Sequence, residues 1–309
     1  MELDIIILGA GESGVGAACL AKQKGYKVFV SEKNIINSKF KKILRKNKIA
    51  FEEGKHSANK VLNAHEIIKS PGIPNESILI QKIKKNKIPI ISEIEFAFRH
   101  TDAKIIGITG SNGKTTTSSL IYHILRNSGL NVGIAGNIGN SFAKLITEKD
   151  FEYIVLELSS FQLEYLKKFQ PKIAVLTNLS RDHLERYNYD FQKYIDKKLD
   201  IVSNHSNSDY FIYNADDKNI QRELINRKIK STKIPFSYTN QESENKTFIK
   251  DNKIFLNINK NKLMISLNSL SLKGKHNTQN NMAAATVAKL INIKNEEIKE
   301  SLSNFQSIN

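Results

Sequence analysis

The chain has 309 residues, 40% of them hydrophobic, and a formal net charge of +16 at pH 7. That length suits about two domains with cores of their own, and the absence of any run of about 18 apolar residues argues against a membrane span. The positive charge is mostly lysine scattered among Asn and Ile, in runs such as Lys39-Phe40-Lys41-Lys42 and Lys82-Ile83-Lys84-Lys85. These read as solvated helix faces, so we expect no nucleic-acid partner; a polyanionic small molecule is a better use for the charge.

The opening Met1-Glu2-Leu3-Asp4 is acidic and runs straight into an apolar strand, Leu3 to Leu8, which is not the pattern of a signal peptide. Gly9-Ala10-Gly11-Glu12-Ser13-Gly14 follows, then a helix from Val15 to Lys24 and a strand from Lys27 to Ser31. Cys19, the only cysteine, sits among alanines on that helix and reads as a core residue in a reducing, cytoplasmic protein. Further strands are expected at Ile49-Phe51, Glu66-Lys69 and Ile88-Ile91, with a helix over Glu76–Lys85. This is a Rossmann-like unit, with its boundary placed at residue 92.

A second unit, residues 93–303, opens with a helix at Glu93–Arg99 and the strand Lys104–Ile108. A helix over Lys114–Asn127 follows, then strands at Asn131–Ala135, Tyr153–Glu157, Ile173–Thr177 and Tyr210–Tyr213. Helical stretches between them argue for an α/β fold with a mostly parallel sheet covered on both faces. From Thr247 to Leu267 polar and apolar residues alternate around Asp251-Asn252, which predicts a small antiparallel hairpin. Two helices, Gln279–Ile291 and Asn295–Leu302, close the unit.

Three places carry chemistry. Gly9, Gly11 and Gly14 after a strand present backbone N–H groups at a helix N-terminus, which suits any diphosphate. With Glu32 at the end of the second strand, a nicotinamide-dependent oxidoreductase is one reading and a UDP-sugar binder another. The string Gly110-Ser111-Asn112-Gly113-Lys114-Thr115-Thr116 lies between a strand and a helix. It departs from the strict phosphate-loop pattern, since Ile108 stands where the first glycine would be, but keeps Gly-Lys-Thr at the helix start. Lys114 is expected on the β- and γ-phosphates and Thr115 on magnesium, with Thr116 and the N–H groups of Ser111 to Lys114 completing the cradle. Glu157 and His183 each follow a parallel strand and suit metal ligation at the same sheet edge.

Taken in order, these strings resemble the Mur ligase family, and within it the branch that adds D-glutamate. The resemblance is carried also by Ser70-Pro71-Gly72-Ile73, Gly136-Asn137-Ile138-Gly139, Glu157 through Glu164, Asn178 through Tyr187, Lys198-Leu199, Asn214 through Asp217 and Gly274-Lys275-His276-Asn277 with Asn280. It implies a UDP-binding Rossmann-like domain followed by a phosphate-loop ATPase domain. The implied reaction is ATP-dependent amide ligation of D-glutamate to UDP-MurNAc-L-Ala through an acyl phosphate, in peptidoglycan precursor synthesis, by a cytoplasmic monomer. By motif match, Lys114, Glu157, His183 and Lys198 are the catalytic set. Thr115 and Glu157 would hold one Mg2+. His183 and a carbamylated Lys198 would hold a second, with Lys197 beside it; without the resemblance Lys198 would read as a surface helix lysine. Asn277 and Asn280 would lie near the adenine. Gly11, Glu12, Ser13, Gly14, Glu32, Ser70 and Gly72 would take the uridine diphosphate end, and Asn137, Ser159 and Gln162 the muramoyl-alanine part. Where this chain has Glu32-Lys33 the family often has Asp and a small hydroxyl residue.

The family's third domain is expected to begin about where this chain ends, with residues 304–309 as the start of the linker to it. The expectation is therefore a two-domain piece that does not ligate alone. A truncated, non-catalytic nucleotide- and UDP-sugar-binding module is the alternative.

Overall fold

A computed structural model describes residues 3–239 and 244–306, so Ser307 to Asn309 of the expected linker lie outside the described residues. Contacts divide the chain into two compact units that interleave in sequence: residues 1–102, 135–150 and 160–169 form one, and the remainder the other.

The first unit carries β1 (Leu3–Leu8), α1 (Glu12–Gln23), β2 (Val28–Ser31), α2 (Ser38–Lys46), β3 (Ala50–Glu52), α3 (Ala58–Val61), β4 (Ala64–Lys69), α4 (Ile78–Lys85), β5 (Ile90–Ile91) and α5 (Glu93–Phe98). The strands form a parallel sheet in the order β3-β2-β1-β4-β5. The order reverses between β1 and β4, the place where open α/β sheets leave a crevice outside their carboxyl ends. Ile6, Leu8, Phe29, Ile67, Ile80 and Ile83 form its core.

Residues 93–102 pack with this first unit, past the boundary placed at residue 92. Ser92 caps α5 by accepting from Glu95 N–H. Glu95, buried, accepts three backbone N–H groups from Lys167, Lys168 and Phe169, each at 2.9 Å. Burial alone would raise its pKa; those bonds and Arg99 outweigh it and hold the carboxyl below its ordinary range. A carboxylate with a depressed folded pKa contributes stability that is present above the unfolded value, about 4.5, and lost as pH falls through the folded one. Glu95→Gln is expected to destabilise the chain by about 2–4 kcal/mol at neutral pH. Urea titrations should show that gap narrowing below about pH 4.5; an equal gap at acid pH would contradict the account.

In chain order the rest is β6 (Lys104–Thr109), α6 (Lys114–Asn127), β7 (Val132–Gly136), α7 (Phe142–Ile146), β8 (Tyr153–Glu157), β9 (Ile173–Leu176), α8 (Phe191–Leu199), β10 (Tyr210–Asn214), α9 (Lys218–Asn226), β11 (Thr232–Ser237), β12 (Lys246–Lys250), β13 (Lys253–Ile258), β14 (Asn261–Ser266), α10 (Lys275–Leu290) and α11 (Asn295–Asn304). Of these, α7 lies in the first unit. Among the described residues the sheet has nine strands in the order β14-β13-β12-β11-β10-β9-β6-β8-β7. It is parallel from β8 to β12 and antiparallel from β12 to β14.

Two expectations change here. The hairpin over Thr247–Leu267 is a three-stranded meander that extends the main sheet, because Asn259-Lys260 makes a second turn with both residues at positive φ. A strand not anticipated, β11, contains Pro235. Thr232 N–H donates to Asp209 O, just before β10, so Pro235, three residues on, faces the other way, where β12 pairs only from Phe236 onward. Its missing N–H therefore breaks no ladder bond.

Candidate functional site

In the second unit, β6 lies between β8 and β9, so the segments after all three strands meet at one sheet edge. Ile108 pairs in register with Glu157, and Thr109 with Leu176. The Gly-rich loop thus leaves the sheet flanked by the buried Glu157 carboxylate on one side and by Thr177-Asn178 on the other.

The loop is clamped by its neighbours. Ser111 N–H donates to Asn178 O at 3.0 Å and Asn112 N–H to Asn178 Oδ1 at 2.9 Å. Two of the four N–H groups assigned to the cradle are therefore already used, because the segment after β9 needs partners of its own. The Ser111 hydroxyl is likewise engaged, with Ser180 O and Tyr194 Oη, each at 2.9 Å. What the loop leaves for an anion is the first turn of α6, where Lys114, Thr115 and Thr116 begin a helix after Gly113 at φ +80°. Lys114 Nζ donates to Ser111 O at 2.7 Å. Burial pulls its amine below the ordinary lysine range, against the pull of Glu157 and Asp182 toward the charged form.

Lys198 is the least expected feature. Far from being a surface residue it is 2% exposed, since it shares the inward face of α8 with the buried Tyr194, Ile195 and Leu199. Its Nζ lies 2.7 Å from Gly110 O and over the Tyr194 ring. The neighbouring Lys197 points outward and pairs with Asp200 at 2.8 Å, which separates the two candidates. Burial, with Lys114 nearby, pushes the Lys198 pKa from 10.5 down to about 7, Asp182 opposing.

The other residues fall unevenly. His183 sits at φ +48° with a side chain 63% exposed, near Asp182 and Glu185 at 3.7 and 3.6 Å. Among the described residues no group of three or more His, Cys, Asp or Glu side chains could hold an ion. Asn280, buried, accepts from Thr117 Oγ1 at 3.2 Å and packs against Gly113, where a Cβ would lie 2.6 Å from Asn280 Oδ1. Asn280 thus braces the phosphate loop itself. Asn277 is half-buried and donates to Lys273 O.

In the first unit, Gly9 (φ +96°) and Gly14 close on each other: a Cβ on Gly14 would lie 2.0 Å from Gly9 O, and one on Gly9 2.5 Å from Ser70 Oγ. Gly11 caps α1, with Glu12 and Ser13 in its first turn. Glu32 braces the turn by accepting from Ala10 N–H at 2.9 Å and Asn34 N–H at 2.8 Å. A cleft of about 560 Å³ opens beside it, lined among others by Gly9, Glu32, Asn34, His56, Gly72 and Ser77. The Ser70 and Ser77 hydroxyls are buried without a hydrogen-bond partner among the described residues. Ser77 and His56 are additions that the sequence reading did not name; Ser77 precedes α4 without capping it, a signal only the structure supplies. Gln162 is buried in the first unit beside Lys69 and Glu93, Asn137 is exposed in the turn after β7, and Ser159 is half-buried after β8 in the second unit.

Comparison with known proteins decides between the readings. The Mur ligase middle domain matches residues 108–288 and the MurD N-terminal domain residues 4–79. A UDP-N-acetylmuramoylalanine–D-glutamate ligase of Christiangramia forsetii is 46% identical over 308 residues, covering 100% of this chain and 69% of that protein. The same-named protein of Bacteroides fragilis is 47% identical over 304 residues, with 98% and 68% covered. The chain belongs to the Mur ligase family. Solved structures agree on the fold. A UDP-N-acetylmuramate:L-alanyl-γ-D-glutamyl-meso-diaminopimelate ligase from Neisseria meningitides superposes with a TM-score of 0.67 at 18% identity, over 100% of both chains. Mur ligases use ATP with magnesium, so the nicotinamide alternative drops out. Among the described residues of this Mur ligase no helix is long and apolar enough to cross a membrane.

Proposed function

We propose that this chain is the nucleotide-binding part of an ATP-dependent ligase that joins D-glutamate to UDP-MurNAc-L-Ala in peptidoglycan precursor synthesis, in the cytoplasm. The observation that carries it is the buried Lys198 amine against Gly110 O, in a loop flanked by Lys114 and Glu157. Residues 1–92 would bind the UDP end and residues 93–303 the ATP.

A carboxylate resists attack by an amine until it carries a leaving group. The substrate carboxylate attacks the γ-phosphorus and ADP departs, leaving an acyl phosphate. The amine of D-glutamate then adds to the acyl carbon, phosphate leaves and the surplus proton passes to solvent. Both partners of the first step are anions, so the site's task is to hold them together. Lys114 and the free N–H groups at the start of α6 take the β- and γ-phosphates. Magnesium, when bound, neutralises the remaining phosphate charge. Thr115 and Glu157 would supply oxygens for one ion, the donor type magnesium prefers; His183 and Lys198 as a carbamate would serve a second. Ser70 and Ser77 bring unused hydroxyls to the UDP end, and Asn137, Ser159 and Gln162 the muramoyl-alanine contacts.

Calorimetry of the chain with UDP-MurNAc-L-Ala, UDP and NADH, in the presence of magnesium and a non-hydrolysable ATP analogue, tests this. The muramoyl compound is expected to bind at least about tenfold tighter than UDP, and NADH not at all. Equal binding of the first two, or binding of NADH, would overturn the reading.

A further inference from the structure

The cleft of the first unit has a wall that the glycine turn and Glu32 leave unexplained. His56 follows β3 and lines the cleft together with Glu32, Lys33 and Asn34. Ser31, fully buried at the end of β2, donates its hydroxyl proton to Glu52 Oε1 at 2.7 Å, and its oxygen lies 2.7 Å from His56 Nδ1. Glu52 also accepts the Ser57 N–H at 2.8 Å and hydroxyl at 2.5 Å. Burial works against its charge, but these bonds, with Lys60, hold its carboxyl below the ordinary range, so it acts as an acceptor only.

A hydroxyl has one proton. Ser31 gives it to Glu52 and must accept from His56, so the ring carries its hydrogen on Nδ1 and keeps the Nε2 lone pair for the cleft. Burial holds the ring's pKa below the usual 6.5, with Lys33 acting the same way and Glu32 and Glu52 opposing. At neutral pH it is therefore an uncharged acceptor whose tautomer is fixed by the strand ends beneath it.

We propose that His56 Nε2 reads the base in this cleft, accepting the imide N3–H of a uracil ring and so selecting uridine over cytidine diphosphates. The inference rests on the UDP reading of the cleft given above. Uracil presents a donor at position 3; cytosine presents a lone pair there, which would face the Nε2 lone pair and be rejected. The placement suits the ligand. The glycine turn that takes the diphosphate follows β1, and His56 follows β3, two strand spacings or about 10 Å across the sheet.

Calorimetry with UDP, CDP, 3-methyluridine diphosphate and 2′-deoxyuridine diphosphate tests it. His56→Ala is expected to weaken UDP about tenfold while leaving CDP and the 3-methyl compound within about twofold of the unaltered chain. Ser31→Ala, which frees the tautomer, should give a smaller loss confined to the two ligands that carry N3–H. His56→Gln, which restores an acceptor, should keep the preference for UDP and covers the case that the alanine variant fails to fold. A loss equal for UDP, CDP and the 3-methyl compound would overturn base reading. So would a loss that disappears with the 2′-deoxy ligand, since the ring would then be serving the ribose. If the unaltered chain binds no UDP, the reading of the cleft falls with it; if it binds UDP but His56→Ala changes nothing, only this inference falls.

Discussion

Under ¹³C-labelled carbon dioxide the chain is expected to show one carbamate carbonyl resonance, which Lys198→Ala removes and Lys197→Ala leaves in place. Carbon dioxide adds to a neutral amine, the new N–C bond forming as one proton leaves. A lysine with an ordinary pKa of 10.5 is neutral about once in three thousand molecules at pH 7; burial, which lowers its pKa to about 7, gives Lys198 a far larger neutral share. Lys197 instead turns outward and pairs with Asp200 at 2.8 Å, away from the loop. The sign with pH follows. The resonance should fade as pH falls below about 7, because the amine is then protonated. Without carbon dioxide, stability should rise between about pH 7 and 10.5, where the unfolded chain binds the extra proton and the folded one does not. With the carbamate lost, magnesium-dependent binding of an ATP analogue is expected to drop at least about tenfold. A resonance that persists in Lys198→Ala, or none at any pH, would sink the assignment.

That contrast between adjacent lysines marks the limit of what could be read from the chain. The periodicity of Leu3 to Leu8, the glycines after it and the Gly-Lys-Thr at the start of α6 are local signals, and each lands within a residue or two of the observed element. Whether Lys197 or Lys198 faces inward depends on the rotation of α8, which is fixed by the burial of Tyr194, Ile195 and Leu199 and by Tyr194 reaching Ser111, a contact between residues 83 apart. The tautomer of His56 likewise depends on Ser31 and Glu52, which come together only once β2 and β3 pair. The use of Ser111 and Asn112 N–H groups by Asn178 was hidden for the same reason: nothing in a Gly-rich string says which of its donors a neighbouring loop will claim.

Gly110→Ala is expected to lower affinity for a non-hydrolysable ATP analogue by at least about a hundredfold, close to 2.7 kcal/mol. The glycine has φ +149°, and an added Cβ would lie 1.9 Å from Thr177 Oγ1, 3.2 Å from Thr177 Cβ and 3.3 Å from Asn178 N. None of these neighbours can yield alone. Thr177 Oγ1 donates to Asn112 O at 2.7 Å, Asn178 holds Asn112 from both its amide atoms, and Gly110 O is the acceptor for Lys198. Moving the loop away from β9 therefore breaks the contacts that shape the phosphate turn and shifts the lysine at the same time. Gly129→Ala is the matched control. That residue also has positive φ, +79°, but nothing lies within 4 Å of the added Cβ. It should cost about 1 kcal/mol of stability from backbone strain and leave nucleotide affinity unchanged. Adding Thr177→Ala to Gly110→Ala removes the nearest atom but not the backbone strain, so only part of the affinity should return. Unchanged nucleotide binding by Gly110→Ala would mean that the phosphates do not rest on this loop, and the roles given to Lys114 and Thr115 would go with it.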